Sequence, residues 1–315
     1  KKWKTKDGKQ LKIILVENKG WKTKMEKQKQ YLFTSEVVSP GHPDKCADII
    51  ADSIVDRLII ADKDSRVASE VFVAGKHVVI GGEVKSSAQL SFEDYEKLVK
   101  DALAKIGYDG KSAFTKEQCL HPEDIQVQVL LNQQSPDINQ GVDQVDGEIG
   151  AGDQGIMFGF ASSETADYMP AAITYARMLS DKVYNYALNH NQKLGVDIKT
   201  QVTIDYGSKE NFENCNPQKI HTIVVSAPSV EGMPIEEVRE LIQGLIDDAG
   251  LPTNMYDKDS TIIHINPTGR YVNHSSLHDS GLTGRKLIVD SFGGYAPIGG
   301  GAQSSKDYTK VDRSG

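Results

Sequence analysis

The sequence predicts an α+β fold built from repeated β-α-β-β-α-β modules. The first observation is that short stretches of strand character alternate with stretches whose apolar residues recur every three or four positions, as in helices. The second is that the same order of elements occurs twice, over about 120 residues each time. The third is that the order begins again near the C-terminus. Two complete modules and the start of a third are therefore predicted.

The first module begins with the strand pattern "YLFTSEVV". The following stretch, "PDKCADIIADSIVDRLII", has apolar residues at helical spacing and predicts a helix. The stretches "RVASEVFV" and "HVVIGGEV" predict a hairpin that turns at residues 74–76. A second helix is predicted over Phe92–Ile106, ending at Gly107, and the alternating stretch "DIQVQVLL" predicts the last strand.

The second module repeats this order. The stretch "IMFGF" predicts a strand, and Met169–Asn189 predicts a helix that begins near Pro170. The stretches "KTQVTIDY" and "HTIVVSA" predict two strands, Ile235–Asp248 predicts a helix, and "TIIHIN" predicts a strand. A third round starts with "RKLIVDSF", predicted as a strand, and its first helix is due at "SKDYTKVDRSG". Because one strand cannot bury its own apolar face, we expect this third module to be incomplete.

These elements divide the chain into five predicted segments. They are a basic head that is expected to be disordered (1–24), an N-terminal module (31–134), a gating loop or linker (135–155), a central module (156–270) and the start of a C-terminal module (271–315).

The composition describes a globular protein of net charge −8. No apolar run is long enough to cross a bilayer, so no membrane partner is expected. The negative net charge argues against a nucleic-acid partner, and the cysteine usage suggests a reducing compartment, so a cytoplasmic location is expected. Its three cysteines are widely spaced, which argues against a disulfide framework and a zinc site. Eleven lysines and three acidic residues lie in the first 30 positions. A nucleic-acid or membrane arm is one reading of this head, but we favour upstream or appended sequence before a natural start at Met25.

The stretch from Asn132 to Gly155 is long, glycine-rich and acidic. Loops of this length without secondary structure are usually functional or disordered. One interpretation is a mobile lid that faces a metal or another cation, and the other is a solvated linker between domains.

The stretch "GHPDK" combines helix-start signals with groups that suit an anion site. Pro43 and Asp44 are ordinary first-turn residues, so a plain helix start explains them. However, His42, Asp44 and Lys45 cluster where backbone N–H groups favour anions, and a carboxylate there can hold Mg²⁺ together with substrate phosphates.

Three glycine-rich turns near the C-terminus carry cations. They are "NPTGR", "GLTGRK" and "GGGAQSSK", and the last lacks the glycine that a Walker loop places before its lysine. Lys306 and Lys310 share a face if a helix begins nearby, and Asp312 adds a carboxylate. Any one of these could be a plain turn. Together with "GHPDK" they make four cation-bearing junctions in a chain of negative net charge, which predicts a compact polyanion ligand such as a triphosphate.

Several stretches, taken in order, resemble the methionine adenosyltransferase family, also called S-adenosylmethionine synthetases. The most specific are "SEVVSPGHPDKCAD", "GAGDQGIMFGFA", "INPTGR" and "GGGAQSSKDYTKVDRS", and the resemblance extends from about Tyr31 to Gly315. It implies three related α+β modules and S-adenosylmethionine synthesis from ATP and L-methionine, with hydrolysis of the bound tripolyphosphate to phosphate and diphosphate. It also implies two Mg²⁺ per site, K⁺, and a homodimer with shared active sites that assembles into a homotetramer.

The resemblance also implies roles for individual residues. Those expected at the reaction centre are His42, Asp153, Lys199, Arg270 and Lys306. Those expected to contact ATP are His42, Asp197, Lys199, Arg270, Tyr271, Asp279, Arg285, Lys286, Ala302 and Lys306. Those expected to contact methionine are Glu83, Gln134, Asp279 and Lys310. Asp44 and Asp312 are the expected Mg²⁺ ligands, Glu70 the expected K⁺ ligand, and residues 134–144 the expected lid.

Two stretches depart from the commoner family pattern, "YVNHSSLHDSGLTG" and "GGYAPIGGGAQSSKD". The wall of the pocket beside Asp279 and Lys306 is therefore expected to differ. A second hypothesis is a catalytically silent subunit that binds or regulates a full-length partner. An ATP-dependent kinase or hydrolase is disfavoured because the sequence carries neither a Walker nor a kinase signature.

Overall fold

The computed structural model describes residues 30–133, 150 and 153–315. The basic head, Gln134 and nearly all of the predicted gating loop lie outside these residues. Within the described part of the chain, no helix is both long and apolar enough to span a membrane.

The strands form two mixed four-stranded sheets. The first sheet has the order β1-β5-β6-β7, with β1 at Leu32–Val38, β5 at Lys199–Asp205, β6 at Lys219–Ser226 and β7 at Ile262–Ile265. The second has the order β4-β3-β2-β8, with β2 at Arg66–Ala74, β3 at His77–Lys85, β4 at Gln126–Gln133 and β8 at Ser280–Leu282. Among the described strands, β3 with β4 and β6 with β7 are parallel pairs, each connected through one long helix, and the other pairs are antiparallel.

The longer helices are those that the sequence predicts. The helix over Phe92–Ile106 has the predicted bounds: a reciprocal cap between Ser91 and Asp94 starts it, and Gly107 ends it in the left-handed conformation. Short 3₁₀ turns lie at Pro122–Asp124 and Ser275–Leu277. The α-helices in the described residues are α1 (Pro43–Ala61), α2 (Phe92–Ile106), α3 (Ala171–Asn189), α4 (Lys209–Glu213), α5 (Ile235–Asp247), α6 (Leu287–Asp290) and α7 (Val311–Ser314).

The core is built around α1 and α3. Helix α1 packs against β2, β8 and α2, and Ile50, Ile54 and Leu58 on its inner face are buried. Helix α3 packs against β1, β5 and α5. Burial of these apolar faces fixes the helices on their sheets and so fixes the start of α1, where the candidate site lies.

The α+β class is confirmed, but the regular module repeat is not. Strand β1 pairs with β5 of the following module and not with the strands of its own predicted module. Residues 156–160 form no strand, and the "RKLIVDSF" stretch forms the short helix α6 in place of the predicted strand. Both errors have one physical cause, because an apolar run of four or five residues has no periodicity that separates strand from helix or loop.

Two C-terminal segments complete the free edge of β2. Strand β8, which the sequence did not predict, pairs with residues 72–74, and Lys306 bridges to Ala68 further along the same edge. The turns that include residues 280–286 and 302–307 are therefore attached to the edge of β2, and their cations are brought to α1.

Candidate active site

His42 lies at the N-cap of α1 and is 4% exposed. Its Nδ1 accepts the backbone N–H of Asp44 at 3.2 Å, so the proton of the neutral ring is on Nε2. Burial, reinforced by the positive charges of Lys199 and Lys286, lowers the pKa of His42 to about 4. At neutral pH the ring is therefore uncharged and offers one N–H donor.

Asp44 lies in the first turn of α1 and is buried against the turn 281–286. One carboxylate oxygen accepts the N–H of Leu282 at 2.9 Å, and the other pairs with Lys286 Nζ at 2.5 Å. Arg285 Nη1 lies 3.8 Å from the first oxygen. This close approach requires Gly281, because a Cβ there would lie 2.1 Å from the carbonyl carbon of Pro43.

Lys199 and Asp279 complete the group around His42. Lys199 starts β5, and its Nζ lies 3.9 Å from Asp279 Oδ2, while His42 Nε2 lies 3.7 Å from the same oxygen. His42, Lys199 and Lys286 line one cavity of about 280 Å³. We call His42, Asp44, Lys199, Asp279, Arg285 and Lys286 the His42 cluster.

Asp197 is a buried carboxylate two residues before Lys199. Its Oδ2 accepts the Tyr271 hydroxyl at 3.0 Å and the N–H of Ser275 at 3.3 Å, whereas its buried Oδ1 has no hydrogen-bond partner. Burial raises the pKa of Asp197 to about 6, against the opposing charge of Lys199. Burial and the Asp197 charge likewise raise the pKa of Tyr271. An unpartnered buried oxygen suits a donor supplied by a ligand.

A second group surrounds Lys306. Its Nζ lies 3.5 Å from the carbonyl oxygen of Ala302 and 3.5 Å from Asp312 Oδ2. Burial raises the pKa of Glu70, the positive charge of Lys306 opposes this, and the negative charge of Asp48 adds to it. The charge of Lys306 therefore acts on Glu70, which agrees with the bridge between Lys306 and Ala68, two residues before Glu70 on β2.

Sequence reasoning missed Asp48 and Asp52, one and two turns after Asp44 on α1. Asp48 accepts hydrogen bonds from Gly284 N and Ser304 Oγ, and Asp52 accepts from Ser305 N. The available signal was the spacing of four residues, which places all three aspartates on one face of the helix.

The carboxylates suit Mg²⁺ as oxygen ligands, although they do not form a ready-made cage. Both oxygens of Asp44 already contact protein donors, and within the described residues no three His, Cys, Asp or Glu side chains are grouped as a metal site. Mg²⁺ commonly binds with one or two carboxylates plus substrate phosphates, and Asp44 fits that mode if a phosphate draws Lys286 away.

Four further predicted residues lie outside these two groups. Asp153 is exposed and accepts the N–H of Gln154, and Arg270 is also exposed. Lys310 pairs with buried Asp307 at 2.6 Å, and half-buried Glu83 lies opposite Ala68 on the neighbouring strand. Their predicted roles, and that of Gln134 outside the described residues, stay predictions.

Comparison with known proteins identifies the family. The domain patterns described as "S-adenosylmethionine synthetase" match in sequence order: the N-terminal domain at residues 30–136, the central domain at 148–271 and the C-terminal domain at 274–315.

Whole proteins agree with the domain matches. The S-adenosylmethionine synthase of Salinibacter ruber is 43% identical over 287 residues, which cover 90% of this chain and 70% of that protein. The S-adenosylmethionine synthase of Mycoplasma capricolum is 43% identical over 288 residues, with the same coverage. A solved structure described as an "Unusual S-adenosylmethionine synthetase from Campylobacter jejuni" is 70% identical, has a TM-score of 0.85, and covers 90% of this chain and 70% of that one. The chain therefore belongs to the S-adenosylmethionine synthetase family.

Proposed function

We propose that this chain forms S-adenosylmethionine from ATP and L-methionine, and that the His42 cluster binds the departing triphosphate. The observation that carries the proposal is a neutral, buried histidine at a helix N-terminus, with two lysines that line its cavity and an arginine beside its neighbour Asp44. The alternative, a catalytically silent subunit, is not favoured, because the relatives are named as synthases.

The reaction needs no enzyme nucleophile. The methionine sulfur attacks C5′ of ATP, the S–C bond forms as the C–O bond breaks, and the electron pair leaves on the bridging oxygen of the triphosphate. The protein must therefore orient the two substrates and stabilise negative charge on the leaving group.

His42 suits the oxygen between C5′ and the triphosphate because its neutral ring can donate the Nε2–H hydrogen bond to that oxygen as negative charge develops there. The positive end of the α1 helix dipole lies at the same place. The ring stays uncharged because burial, and then the charges of Lys199 and Lys286, lower its pKa, so these lysines and not the imidazole supply positive charge.

Lys199, Arg285 and Lys286 suit the phosphate oxygens. Without substrate, these cations lie near the carboxylates of Asp279 and Asp44 at distances of 2.5 to 3.9 Å. A bound triphosphate competes with those carboxylates for the cations. Asp44, once released by Lys286, would then hold Mg²⁺, which neutralises phosphate charge.

The remaining roles complete the proposal. Asp197 and Tyr271 lie beside the cluster and suit hydroxyl or amino donors of ATP, supported by the unpartnered oxygen of Asp197. We also propose the roles that the family resemblance implies: Arg270, Ala302 and Lys306 at ATP, Asp153 opposite the developing sulfonium, and Glu83, Gln134 and Lys310 at methionine. The same applies to Asp312 at a second Mg²⁺, Glu70 at K⁺, tripolyphosphate hydrolysis and a homodimer with shared sites.

The direct test is to incubate the purified chain with ATP, Mg²⁺, K⁺ and methyl-labelled methionine and to separate S-adenosylmethionine by chromatography. His42→Asn keeps an acceptor for the N-cap and removes the ring donor, so it separates catalysis from folding. We expect turnover to fall about 10²- to 10³-fold in His42→Asn and in Lys199→Ala. Lys193→Ala, at an exposed lysine on the same segment, is the matched control. Absence of product from a folded wild-type chain would reject the proposal.

A further inference from the structure

Three aspartates form a stripe along α1. Asp44, Asp48 and Asp52 are spaced by four residues, and each accepts a backbone N–H from a C-terminal segment. The donors come from Leu282, Gly284 and Ser305, in this order along the chain, and they contact aspartates on successive turns of the helix. The stripe therefore holds two segments, the Arg285 loop (281–286) and the Lys306 loop (302–306).

Asp48 contacts both loops at once. It is 3% exposed, and its Oδ1 accepts Gly284 N at 2.9 Å and Ser304 Oγ at 2.8 Å. Its Oδ2 accepts Lys45 Nζ at 2.8 Å, so both carboxylate oxygens are used within the protein. A single oxygen atom thus connects the turn before Arg285 to the turn before Lys306.

The two loops meet closely at this bridge. Gly284 has φ +72°, and a Cβ there would lie 2.7 Å from the Cβ of Ala302. The loops are therefore already at contact distance, and Asp48 sets their position from the side of the helix. Asp52 extends the anchor by one turn through Ser305 N and Arg313 Nη1.

We propose that Asp48 is a positioning residue, which fixes the spacing between the Arg285 loop and the Lys306 loop so that the cations of both loops bind the same triphosphate. This inference rests on the proposed function. A triphosphate is a short, rigidly spaced ligand, and a misplacement of about 1 Å in such a site costs about 10² in rate. Asp48 acts through the loops and does not itself contact substrate.

The test uses three variants that differ in how much of the bridge they remove. Ser304→Ala removes only the contact to the Lys306 loop and leaves no charge unpaired. Asp48→Asn keeps one oxygen acceptor and loses the Lys45 ion pair, while Asp48→Ala removes the whole bridge. Asp56→Asn is the matched control, since Asp56 lies two turns further along the same helix and is exposed.

Initial rates of S-adenosylmethionine formation are measured with ATP and methionine varied separately, and thermal unfolding is followed by circular dichroism. We expect Ser304→Ala to raise the KM for ATP and to lower kcat, together about 10- to 100-fold in kcat/KM. We expect the KM for methionine to stay unchanged. Asp48→Asn is expected to lower kcat/KM for ATP by a similar or smaller factor than Ser304→Ala, and Asp56→Asn is expected to match the wild type. A purely structural role would lower the unfolding temperature without this split between the two substrates.

Binding of inorganic tripolyphosphate, measured by calorimetry, keeps the inference separate from the proposed function. If the wild type binds tripolyphosphate but makes no S-adenosylmethionine, the proposed function fails and the affinities of the variants decide the inference. If Asp48→Ala does not fold, Ser304→Ala and Asp48→Asn still decide it. Wild-type kinetics and wild-type tripolyphosphate affinity in both of these variants would overturn the inference.

Discussion

Gly281→Ala is expected to move the Arg285 loop off the start of α1. The added Cβ would lie 2.1 Å from the carbonyl carbon of Pro43, whereas carbon atoms in contact lie about 3.5 Å apart. The loop must therefore retreat by about 1.4 Å, taking Lys286 away from Asp44. A shift of this size is expected to lower kcat/KM for ATP about 10²-fold and to destabilise the fold by about 1–3 kcal/mol through overpacking.

The assay combines kinetics and urea unfolding of Gly281→Ala with those of Gly244→Ala. Gly244 lies within α5 with open space around the position of a Cβ, so its replacement is expected to leave activity unchanged and to stabilise the chain by up to about 1 kcal/mol. If Gly281→Ala has wild-type kcat/KM for ATP, the loop either tolerates the shift or does not carry the triphosphate contacts, and the reasoning fails.

Other perturbations test the same site. Lys286→Ala removes the partner of Asp44, and we expect a loss of kcat/KM for ATP of about 10²- to 10³-fold, measured against exposed Lys193→Ala as the control. The pKa of buried His42 is lowered from 6.5 to about 4, so between these pH values the unfolded chain binds a proton that the folded chain does not. The free energy of unfolding should therefore fall by about 1.4 kcal/mol for each pH unit as the pH falls. In urea titrations, His42→Asn should weaken this pH dependence. The pKa of Asp197 is raised to about 6, so its carboxylate becomes protonated as the pH falls below that value. The kcat/KM for ATP should decline over the same range. In Asp197→Asn, kcat/KM for ATP should be low at all pH values and should not show this decline. Chelation of Mg²⁺ should abolish product formation and added Mg²⁺ should restore it, whereas retained activity in excess chelator would contradict the role given to Asp44.

The sequence predicted the local elements of the site better than their arrangement. The start of α1 was predicted from "GHPDK" because Pro43 and Asp44 are local helix signals, and the hairpin β2–β3 followed from its alternating pattern. The pairing of β1 with β5 joins residues more than 160 positions apart. No local signal specifies such a partner, so the element order of the module repeat did not predict this pairing.

The acidic stripe on α1 shows why some residues beside the candidate site were missed. Asp48 and Asp52 lie within a helical pattern in which polar positions are ordinarily solvent-exposed. Asp48 is instead buried, and Asp52 partly buried, under the C-terminal loops, and β8, which brings those loops in, is only three residues long. A strand of that length has too little pattern to be predicted from sequence, so the contacts of Asp48 and Asp52 with the loops could not be recognised.

The register between β1 and β5 determines whether His42 and Lys199 can act together. Val38 is paired with Lys199, which brings the start of β5 to the segment that leads into α1. Ser39 fixes this register, because its N–H donates to Ile198 O at 2.9 Å and its Oγ accepts Ile198 N–H at 2.9 Å. A slip of one residue would turn the Lys199 side chain to the opposite face of the sheet, away from the cavity that it shares with His42. The ion pair between Lys199 and Asp279 therefore depends on the contacts that Ser39, three residues before His42, makes with Ile198.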